Sequence, residues 1–260
     1  MKAAAYAYFD VPFAAYAHRG GALYQPNLHR ENTRYAFQQA VDLGYRYLET
    51  DVHATADRVL VAFHDDVLDR VTDRKGPIAG LPYAEVAKAR IGGRDPIPQL
   101  AELLTAFPEA RFNIDAKSDG AVDLLAAVIT EHEAYERVCV SSFSVGRLHR
   151  LRRRLGPRVA SASSSAGIAV NRFVPWLTWA LNSPAPVLQM PVTHAFRGRR
   201  VAVLTPALVR AVHNAGKRVQ IWTVDDSETM ERLIELGVDG IFTDRIDVLK
   251  DVLVSHGLWT

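Results

Sequence analysis

Two pairs of charged side chains, each pair two residues apart, are the residues best suited to chemistry in this chain. Glu49 and Asp51 stand in a run of aromatic and branched residues, Tyr45–Val52, that is typical of a strand. Alternate side chains of a strand share a face, so the two carboxylates point the same way and repel each other unless a cation lies between them. Taken alone, these two residues fit a solvated surface strand better than a metal site. Asp115 and Lys117 repeat the spacing in a later apolar run.

Two histidines follow the ends of apolar runs and suit proton transfer near neutral pH. His18 follows Phe13–Ala17 and is itself followed by Arg19 and two glycines. His64 follows Val59–Phe63 and precedes two acids. These positions predict a general base and a general acid.

The combination supports cleavage of a phosphodiester. Glu49, Asp51 and Asp115 could together bind one hard divalent cation, and their all-oxygen ligation favours Mg²⁺ or Ca²⁺ over a zinc–thiolate site. Arg19 and Lys117 supply fixed positive charge of the kind that suits a phosphate. A cation and basic side chains around a phosphoryl group, with histidines moving protons, describe phosphodiester hydrolysis.

The composition is that of an ordinary soluble protein. The chain has 260 residues, of which 48% are hydrophobic and 23% charged, and its net charge is +2, so no nucleic acid partner is expected. The single cysteine, Cys139, excludes an internal disulfide and permits a reducing, cytoplasmic location. Asp10 and Pro12 interrupt the apolar start before it resembles a secretory signal. No apolar run approaches the length that spans a bilayer.

The elements that position these residues alternate between strand and helix. With Val59–Phe63 treated as an accessory hairpin arm, the pattern predicts eight strands, each followed by helix, and therefore a (β/α)8 barrel. A doubly wound open sheet is the alternative, but no Gly-rich dinucleotide fingerprint follows the first strand. We expect one domain over residues 1–260, with a small insertion after strand two at about residues 59–98. The predicted strands are 13–17, 45–52, 111–117, 138–143, 159–163, 187–192, 218–224 and 240–243; the predicted helices are 33–43 (capped by Asn32 or Thr33), 83–90, 99–107, 121–134, 145–155, 168–181, 206–215, 228–236 and 248–255.

In such a barrel the active site forms where the strands end and the following loops begin. The pairs named above all lie at such ends, which strengthens their interpretation. Gln189 and Trp222 also end predicted strands: Gln189 suits either a substrate pocket or packing, whereas the place of Trp222 favours the pocket. Ser141 and Ser142 are interpreted as structural, since no partner base is recognisable.

Eight segments, in order along nearly the whole chain, carry a resemblance to a known family. They are His18-Arg-Gly-Gly21, Glu31-Asn-Thr33, Leu48-Glu-Thr-Asp51, Phe63-His-Asp65, Asn113-Ile-Asp-Ala-Lys117, Ser141-Ser-Phe143, Gln220-Ile-Trp-Thr-Val-Asp225 and Gly237-Val-Asp-Gly-Ile-Phe-Thr-Asp244. The chain resembles the glycerophosphodiester phosphodiesterase family, whose fold is the (β/α)8 barrel. The resemblance implies hydrolysis of a glycerophosphodiester to glycerol 3-phosphate and an alcohol. It also implies these roles: Glu49 and Asp51 as metal ligands, His18 and His64 as the acid–base pair, Arg19 and Lys117 on the phosphate, Trp222 in the alcohol pocket, and Glu31 near the site.

Two positions depart from the family pattern. Asp115 stands where the family usually has a glutamate as third metal ligand, and Arg30 replaces the proline that commonly precedes Glu31. Related sphingomyelinase D-type enzymes resemble this family and use an aspartate as third ligand, which keeps a lipid diester substrate open.

Three interpretations of function therefore stand side by side. The first is a metal-dependent phosphodiesterase on small glycerophosphodiesters, the second a phospholipase D-like barrel acting on lysophospholipids, and the third a catalytically silent barrel that binds phosphate or metal. Phe173, Trp176, Trp179 and Leu181 suit either a hydrophobic lip for transient membrane contact or core packing, and core packing is the favoured interpretation. The basic segment 193–200 is interpreted as a loop near the mouth, and the arginines of 147–154 as the solvated face of a helix. The head group, the metal and the oligomeric state are left open.

Overall fold

The computed structural model describes residues 1–173, 183–196 and 199–259, and this part of the chain contains eight parallel strands in one nearly closed sheet. Helices surround the sheet, so the predicted (β/α)8 barrel is confirmed. The strands are Ala14–His18 (β1), Tyr47–Ala54 (β2), Leu60–Ala62 (β3), Arg90–Ile91 (β4), Asp95–Pro96 (β5), Arg111–Ala116 (β6), Val138–Ser141 (β7), Ala160–Ser161 (β8), Val187–Met190 (β9), Thr193–Phe196 (β10), Arg199–Ala202 (β11), Arg218–Ile221 (β12) and Gly240–Thr243 (β13). The α-helices are Arg34–Asp42 (α1), Tyr83–Val86 (α2), Leu100–Ala106 (α3), Ala121–Glu131 (α4), Val145–Leu155 (α5), Ser165–Phe173 (α6), Pro206–Asn214 (α7), Ser227–Glu235 (α8) and Ile246–Ser255 (α9).

The barrel strands follow one another around the sheet in the order β8-β7-β6-β2-β1-β13-β12-β9. The ring is completed just after β8, where Ala162 pairs with Val187 in a parallel bridge and the N–H of Ser163 donates to the carbonyl of Val187 at 2.9 Å. Because all eight strands run parallel, their carboxyl ends lie at one rim.

The central strand β2 is buried along its whole length, which an alternating surface strand would not be. Leu48 and Val52 face outward and belong to the large core between the sheet and the helices. Tyr47, on the opposite face, belongs to a second core that fills the lower barrel together with Tyr16 and Phe242. Glu49 and Asp51 therefore point into the barrel, above this aromatic layer.

Aromatic residues from the amino-terminal turns pack against the bottom of the barrel. Tyr8 and Phe9 are buried in the second core. The hydroxyl of Tyr47 donates to the carbonyl of Tyr8 at 2.6 Å. The rings of Tyr16 and Phe242 stack with their centroids 4.0 Å apart.

Residues 59–98 leave the barrel after β2 and build a core of their own. β3 pairs antiparallel with β2, and β4 pairs antiparallel with β5. The segment has its own cluster of buried apolar side chains, separate from the two barrel cores: Val61, Phe63, Leu68, Ile78, Val86, Ala89, Ile91 and Ile97. This cluster gives the loops that follow β3 a rigid support.

Two of the sequence predictions are wrong, and a third lies partly outside the described residues. The helix predicted over residues 83–90 ends at Val86, because Arg90 pairs in β4 and its N–H donates to a carboxylate oxygen of Asp73 at 2.7 Å. Segment 193–200, predicted as a loop, contributes to the antiparallel hairpin β10–β11. The helix predicted over residues 168–181 is described only as far as α6; residues 174–182, with Trp176 and Trp179, lie outside the described part.

No helix in the described part of the chain is long and apolar enough to cross a bilayer.

Candidate active site

The register of three neighbouring strands brings the predicted site residues to the same end of the barrel. His18 pairs with Glu49 between β1 and β2, and Asp51 pairs with Asp115 between β2 and β6. Residues in register on neighbouring parallel strands share a face of the sheet. The two pairs of charged residues recognised in the sequence are therefore next to each other in space.

Lys117 forms a buried ion pair with two of the acids. Its Nζ lies 2.9 Å from Oδ1 of Asp51 and 2.8 Å from Oδ2 of Asp115. Burial lowers the pKa of Lys117, but the two carboxylates outweigh it, so this pKa is raised and the ammonium stays charged. Burial raises the pKa of Asp51, but Lys117 and Arg19 outweigh it, so its pKa is lowered. The pKa of Asp115 is raised, because burial is only partly offset by Lys117.

Glu49 has less positive charge around it than its neighbour Asp51. Burial and the charge of Asp51 raise the pKa of Glu49 to about 7, in spite of His18 and Arg19 nearby. Its Oε2 accepts the backbone N–H of Arg19 at 3.1 Å and lies 3.8 Å from Nε2 of His18. A cation bound beside this carboxylate would stabilise its charged form.

His18 is held by a carboxylate from the other end of the chain. Its Nδ1 lies 2.8 Å from Oδ1 of Asp244, the residue directly after β13. A carboxylate can only accept, so Nδ1 carries the proton and Nε2 points toward Glu49. Burial lowers the pKa of His18, but Glu49 and Asp244 outweigh it, so the pKa is raised.

The chain turns sharply after β1 and places Arg19 over the acids. Arg19 has a left-handed backbone with φ 51°, and its carbonyl accepts the N–H of Asn32, which is also left-handed with φ 58°. Such conformations are strained for residues other than glycine and cluster at functional sites. The Arg19 guanidinium lies 3.2 Å from Oε1 of Glu31 and 3.5 Å from Oδ2 of Asp51.

Asn32 is a site residue that the sequence reasoning treated only as a possible helix cap. It is 1% exposed, its Nδ2 donates to Oδ2 of Asp51 at 3.4 Å, and its Oδ1 accepts the hydroxyl of Thr50 at 2.8 Å. The helix cap is Thr33, whose hydroxyl accepts the N–H of Ala36. Asn32 instead orients the carboxylate of Asp51. The sequence signal for this role was its position between Glu31 and Thr33, since Thr33 is already a strong N-cap residue.

His64 reaches the same rim from β3. The N–H of Phe63 donates to the carbonyl of Asp51 at 2.9 Å, which ties the residue before His64 to β2. The Nδ1 of His64 lies 2.6 Å from Oδ1 of Asp65. Burial raises the pKa of Asp65, but hydrogen bonds from Arg70 and His64 outweigh it and bring the pKa to about 2, so Asp65 is ionised and accepts from Nδ1.

Arg70 was not singled out from the sequence, yet its guanidinium contacts two site acids. It donates to both carboxylate oxygens of Asp65, at 2.6 and 3.1 Å, and to both oxygens of Glu31, at 2.9 and 2.7 Å. Burial raises the pKa of Glu31, but Arg70 and Arg19 outweigh it, so the pKa is lowered.

Two aromatic side chains form one wall of the site beside Lys117. The ring of Phe143 is 62% exposed and meets Trp222 edge-on, with centroids 5.6 Å apart. The Nζ of Lys117 lies 5.4 Å from the centroid of Phe143. Trp222 follows β12 at the same rim, as its predicted place in the pocket requires.

Gln189 lies in a hydrogen-bonded chain of amides inside the barrel. Its Nε2 donates to Oδ1 of Asn113 at 2.7 Å and to Oε1 of Gln220 at 3.0 Å, and Gln220 donates to the hydroxyl of Tyr16. Asn113 is in register with Glu49, so this chain supports the floor of the site. A contact between Gln189 and substrate stays a prediction.

The arginines of α5 contact the loop that carries Lys117. Arg147 donates to the carbonyl of Ala116 at 2.8 Å and also to that of Lys117. Arg150 donates to Oδ1 of Asp119 at 2.8 Å. These side chains hold the loop after β6, while Arg150, Arg153 and Arg154 are exposed, as predicted for a solvated helix face.

The three acids of the site fit a divalent cation by type, burial and charge. Glu49, Asp51 and Asp115 are 5%, 2% and 6% exposed; the guanidinium of Arg19 pairs with Asp51, and the ammonium of Lys117 pairs with both aspartates. The Oδ1 of Asp115 is buried and has no hydrogen-bond partner. In the described part of the chain no three His, Cys, Asp or Glu side chains are arranged as a metal-binding cluster, and the ammonium of Lys117 pairs with both Asp51 and Asp115.

Comparison with known proteins gives one consistent result. Residues 18–248 match the glycerophosphoryl diester phosphodiesterase family. A probable glycerophosphodiester phosphodiesterase of Mycobacterium tuberculosis is 39% identical over 255 residues, which cover 94% of this chain and 92% of that protein. Human lysophospholipase D is 27% identical over 278 residues, which cover 91% and 85% of the two chains.

Solved structures share the fold. A glycerophosphoryl diester phosphodiesterase from Silicibacter pomeroyi superposes with a TM-score of 0.80 at 24% identity, covering 98% of this chain and all of that one. A phosphodiesterase from Oleispira antarctica, solved in complex with the product sn-glycerol-3-phosphate, superposes with a TM-score of 0.76 at 23% identity, covering 95% and 99%.

Proposed function

The chain belongs to the glycerophosphoryl diester phosphodiesterase family and is a phosphoric diester hydrolase, and from this premise we propose that it cleaves small glycerophosphodiesters to glycerol 3-phosphate and an alcohol. The 39% identical relative is named for this activity, and the Oleispira antarctica structure holds its product. The proposal takes the rim formed by β1, β2 and β6 as the active site, with His18 and His64 as the acid–base pair.

The two imidazoles carry the proton transfers in this proposal. Each has its Nδ1 against a carboxylate, at 2.8 Å for His18 and 2.6 Å for His64, so in this proposal the Nε2 of each ring is the nitrogen that exchanges protons with the substrate. One histidine takes the proton of the nucleophile, and the other gives a proton to the leaving alkoxide. The nucleophile is either water or a neighbouring hydroxyl of the substrate, and the second route gives a cyclic phosphate first.

Positive charge for the phosphate comes from Arg19 and Lys117. Arg19 lies beside Asp51 and Glu31 at the turn after β1, and Lys117 lies between Asp51 and Asp115. Fixed cations stabilise the negative charge that develops on the phosphoryl oxygens. Trp222, with Phe143 beside it, forms the wall against which we place the alcohol.

We propose Glu49, Asp51 and Asp115 as the residues that hold a divalent cation, Mg²⁺ or Ca²⁺. When bound, such a cation supplies Lewis-acid stabilisation of a phosphoryl oxygen. The pKa of Glu49, raised to about 7 by burial and by Asp51, and the unpartnered Oδ1 of Asp115 support this assignment. Asp115 has a shorter side chain than the usual glutamate, and Lys117 competes for its other oxygen.

The observation that carries the proposal is the placement of His18 beside Glu49, and of Asp51 beside Asp115, on three adjacent strand ends. Purified protein should release glycerol 3-phosphate from at least one member of a panel of glycerophosphodiesters, and EDTA should abolish the reaction. Recovery with Mg²⁺ or Ca²⁺ supports the metal assignment, whereas activity unchanged by EDTA overturns it.

Lysophospholipids are the second candidate substrate class. The side chain of Phe143, 62% exposed, lies beside Lys117, and that of Val145, 53% exposed, begins α5 two residues later; in this alternative both contact an acyl chain. Human lysophospholipase D is among the relatives. A lysophospholipid enzyme should gain rate when the substrate forms micelles, whereas an enzyme for small diesters should not.

The buried, single cysteine fits a reducing compartment. We propose that the enzyme acts in the cytoplasm.

A further inference from the structure

We infer that Arg70, from the segment inserted after β2, is a positioning residue that couples the acid–base group His64 to the phosphate-binding group Arg19. The inference rests on the proposed function, in which these two side chains act on the substrate. Arg70 itself contacts neither of them directly. It contacts the carboxylate partner of each one: Asp65 beside His64, and Glu31 beside Arg19.

The guanidinium of Arg70 forms two bidentate pairs at once. Its Nε and Nη2 donate to Asp65 at 2.6 and 3.1 Å, and its Nη1 and Nη2 donate to Glu31 at 2.9 and 2.7 Å. Bidentate pairs fix the planes of both partners as well as their distance, which a point charge does not. One side chain therefore fixes the orientation of two carboxylates that lie 34 residues apart in the sequence.

The first carboxylate sets the direction of the His64 ring. Asp65 Oδ1 lies 2.6 Å from Nδ1 of His64, and the same oxygen accepts from Arg70 Nη2. With Asp65 held by Arg70, the imidazole keeps one tautomer, protonated at Nδ1, and one orientation. Without Arg70, Asp65 is free to turn toward solvent, and the ring follows it.

The second carboxylate supports the guanidinium of Arg19. Glu31 Oε1 accepts from Arg19 Nη1 at 3.2 Å and from Arg70 Nη2 at 2.7 Å. Glu31 therefore lies between two guanidinium groups, and its side chain is only 15% exposed. Loss of Arg70 would let Glu31 pair more closely with Arg19 and lower the affinity of Arg19 for an incoming phosphate.

The loop that carries Arg70 is built to hold it in place. Leu68, two residues earlier, is 1% exposed in the separate apolar core of the insertion, and its N–H donates to the carbonyl of Gly76 at 3.0 Å. The N–H and hydroxyl of Thr72 both bond the carbonyl of Leu68, at 3.2 and 2.9 Å. A rigid support of this kind preorganises the side chain that it presents.

Four variants and one control separate a positioning role from a merely structural one. R70A removes the guanidinium, and R70K keeps the positive charge without the bidentate geometry. D65N weakens the contact of Arg70 with Asp65, and E31Q weakens its contact with Glu31. R74A is the matched control, because Arg74 is an exposed arginine of the same loop. We expect R70A and R70K to lower kcat by about 10- to 100-fold. D65N should act mainly on kcat and E31Q mainly on KM, whereas R74A should equal the wild type.

Guanidinium chloride at low millimolar concentration should restore part of the lost activity to R70A and none to D65N, because only the first variant leaves a space shaped for that ion. A kcat of R70A within twofold of the wild type would overturn the inference. A loss that guanidinium does not restore, accompanied by a lower melting temperature, would assign Arg70 to stability alone.

The ring nitrogens of His64 give a readout that does not require turnover. Long-range ¹H–¹⁵N spectra, assigned by comparison with H64A, should show a single tautomer protonated at Nδ1 in the wild type and in R74A. In R70A they should show averaging of the two tautomers. Identical His64 ring spectra in R70A and wild type would overturn the inference, whether or not the protein cleaves a diester. If the spectra differ as expected but the wild type shows no turnover, the result counts against the proposed function and not against the role of Arg70.

Discussion

The Nδ1 of His18 lies 2.8 Å from Oδ1 of Asp244, although 226 residues separate them in the chain. The contact exists because β1 pairs in parallel with β13, in a register that sets Ala17 opposite Thr243. His18 and Asp244 are the next residues along each strand, so closure of the barrel itself brings imidazole and carboxylate together. The fold thus positions one member of the proposed acid–base pair.

Replacing Asp244 with Asn should reduce kcat by about 10- to 100-fold with a smaller change in KM, because an amide no longer selects the His18 tautomer protonated at Nδ1. Steady-state kinetics of D244N on the best glycerophosphodiester would measure this. D247N, which alters an acid paired with Arg245 in the next turn, is the control and should behave as the wild type. Equal kcat values for D244N and wild type would remove the orienting role.

A divalent cation should stabilise the folded protein through Glu49 and Asp51. At a concentration of 100 times Kd, binding to the native state alone adds about 2.7 kcal/mol to the free energy of unfolding. Thermal unfolding with and without Mg²⁺ or Ca²⁺ would show a rise in melting temperature for the wild type, and a smaller rise or none for E49Q and D51N. The exposed variant E228Q is the control, and a full rise in E49Q and D51N would exclude these ligands.

The pair formed by Asp65 with Arg70 and His64 should make stability depend on acid pH. The pKa of Asp65 is about 2 in the folded protein, below its ordinary value of 3.8, because hydrogen bonds from Arg70 and His64 outweigh its partial burial. A lowered carboxyl pKa contributes stability that is fully present above the unfolded pKa, and that is lost as the pH falls from about 4 through about 2.

Replacing Asp65 with Asn should therefore lower the free energy of unfolding at pH 7 by on the order of 1 kcal/mol, because the pair is partly screened by solvent. The difference from wild type should shrink below pH 4. Urea unfolding at several pH values would measure it, with the exposed neighbour variant D66N as control. A D65N deficit that stays constant down to pH 2 would contradict the assignment.

Truncation of the aromatic wall should affect binding more than chemistry. W222A removes the partner of Phe143 and the surface on which we place the alcohol, so KM should rise about 10-fold or more, as loss of a buried aromatic contact implies. kcat should change less, because neither imidazole is touched. Kinetics on substrates with small and large alcohol groups would test this, and a KM unchanged for every alcohol would move the pocket elsewhere.

The barrel could be predicted from the sequence because its signal is local. Each strand is a short apolar run, and the helices carry their own boundary signals, as α5 shows: it was predicted over residues 145–155 and runs from Val145 to Leu155. The strand-end positions of Glu49, Asp51 and Asp115 follow from the same pattern and the period of two. These features do not depend on distant parts of the chain.

The parts that the sequence did not predict depend on contacts between distant residues. No local pattern shows that Arg70 reaches Glu31, 39 residues away, or that Asp244 reaches His18. The helix predicted over 83–90 failed for the same reason, since Arg90 is drawn into β4 by its pairing with β5. The structure also shows what Arg30 contributes in place of the proline common in the family. Its guanidinium pairs with Asp95 at 2.6 Å and stacks on the ring of Tyr35.

The most direct measurement of the central claim is the turnover of H18A and H64A beside the wild type, followed by ³¹P NMR on a glycerophosphodiester with the preferred cation. Folding of both variants would be checked by circular dichroism. The wild type should accumulate glycerol 3-phosphate, and each variant should be slower by about 10²- to 10⁴-fold, the usual contribution of general acid–base catalysis. Near-wild-type rates in both variants would contradict the assignment of His18 and His64.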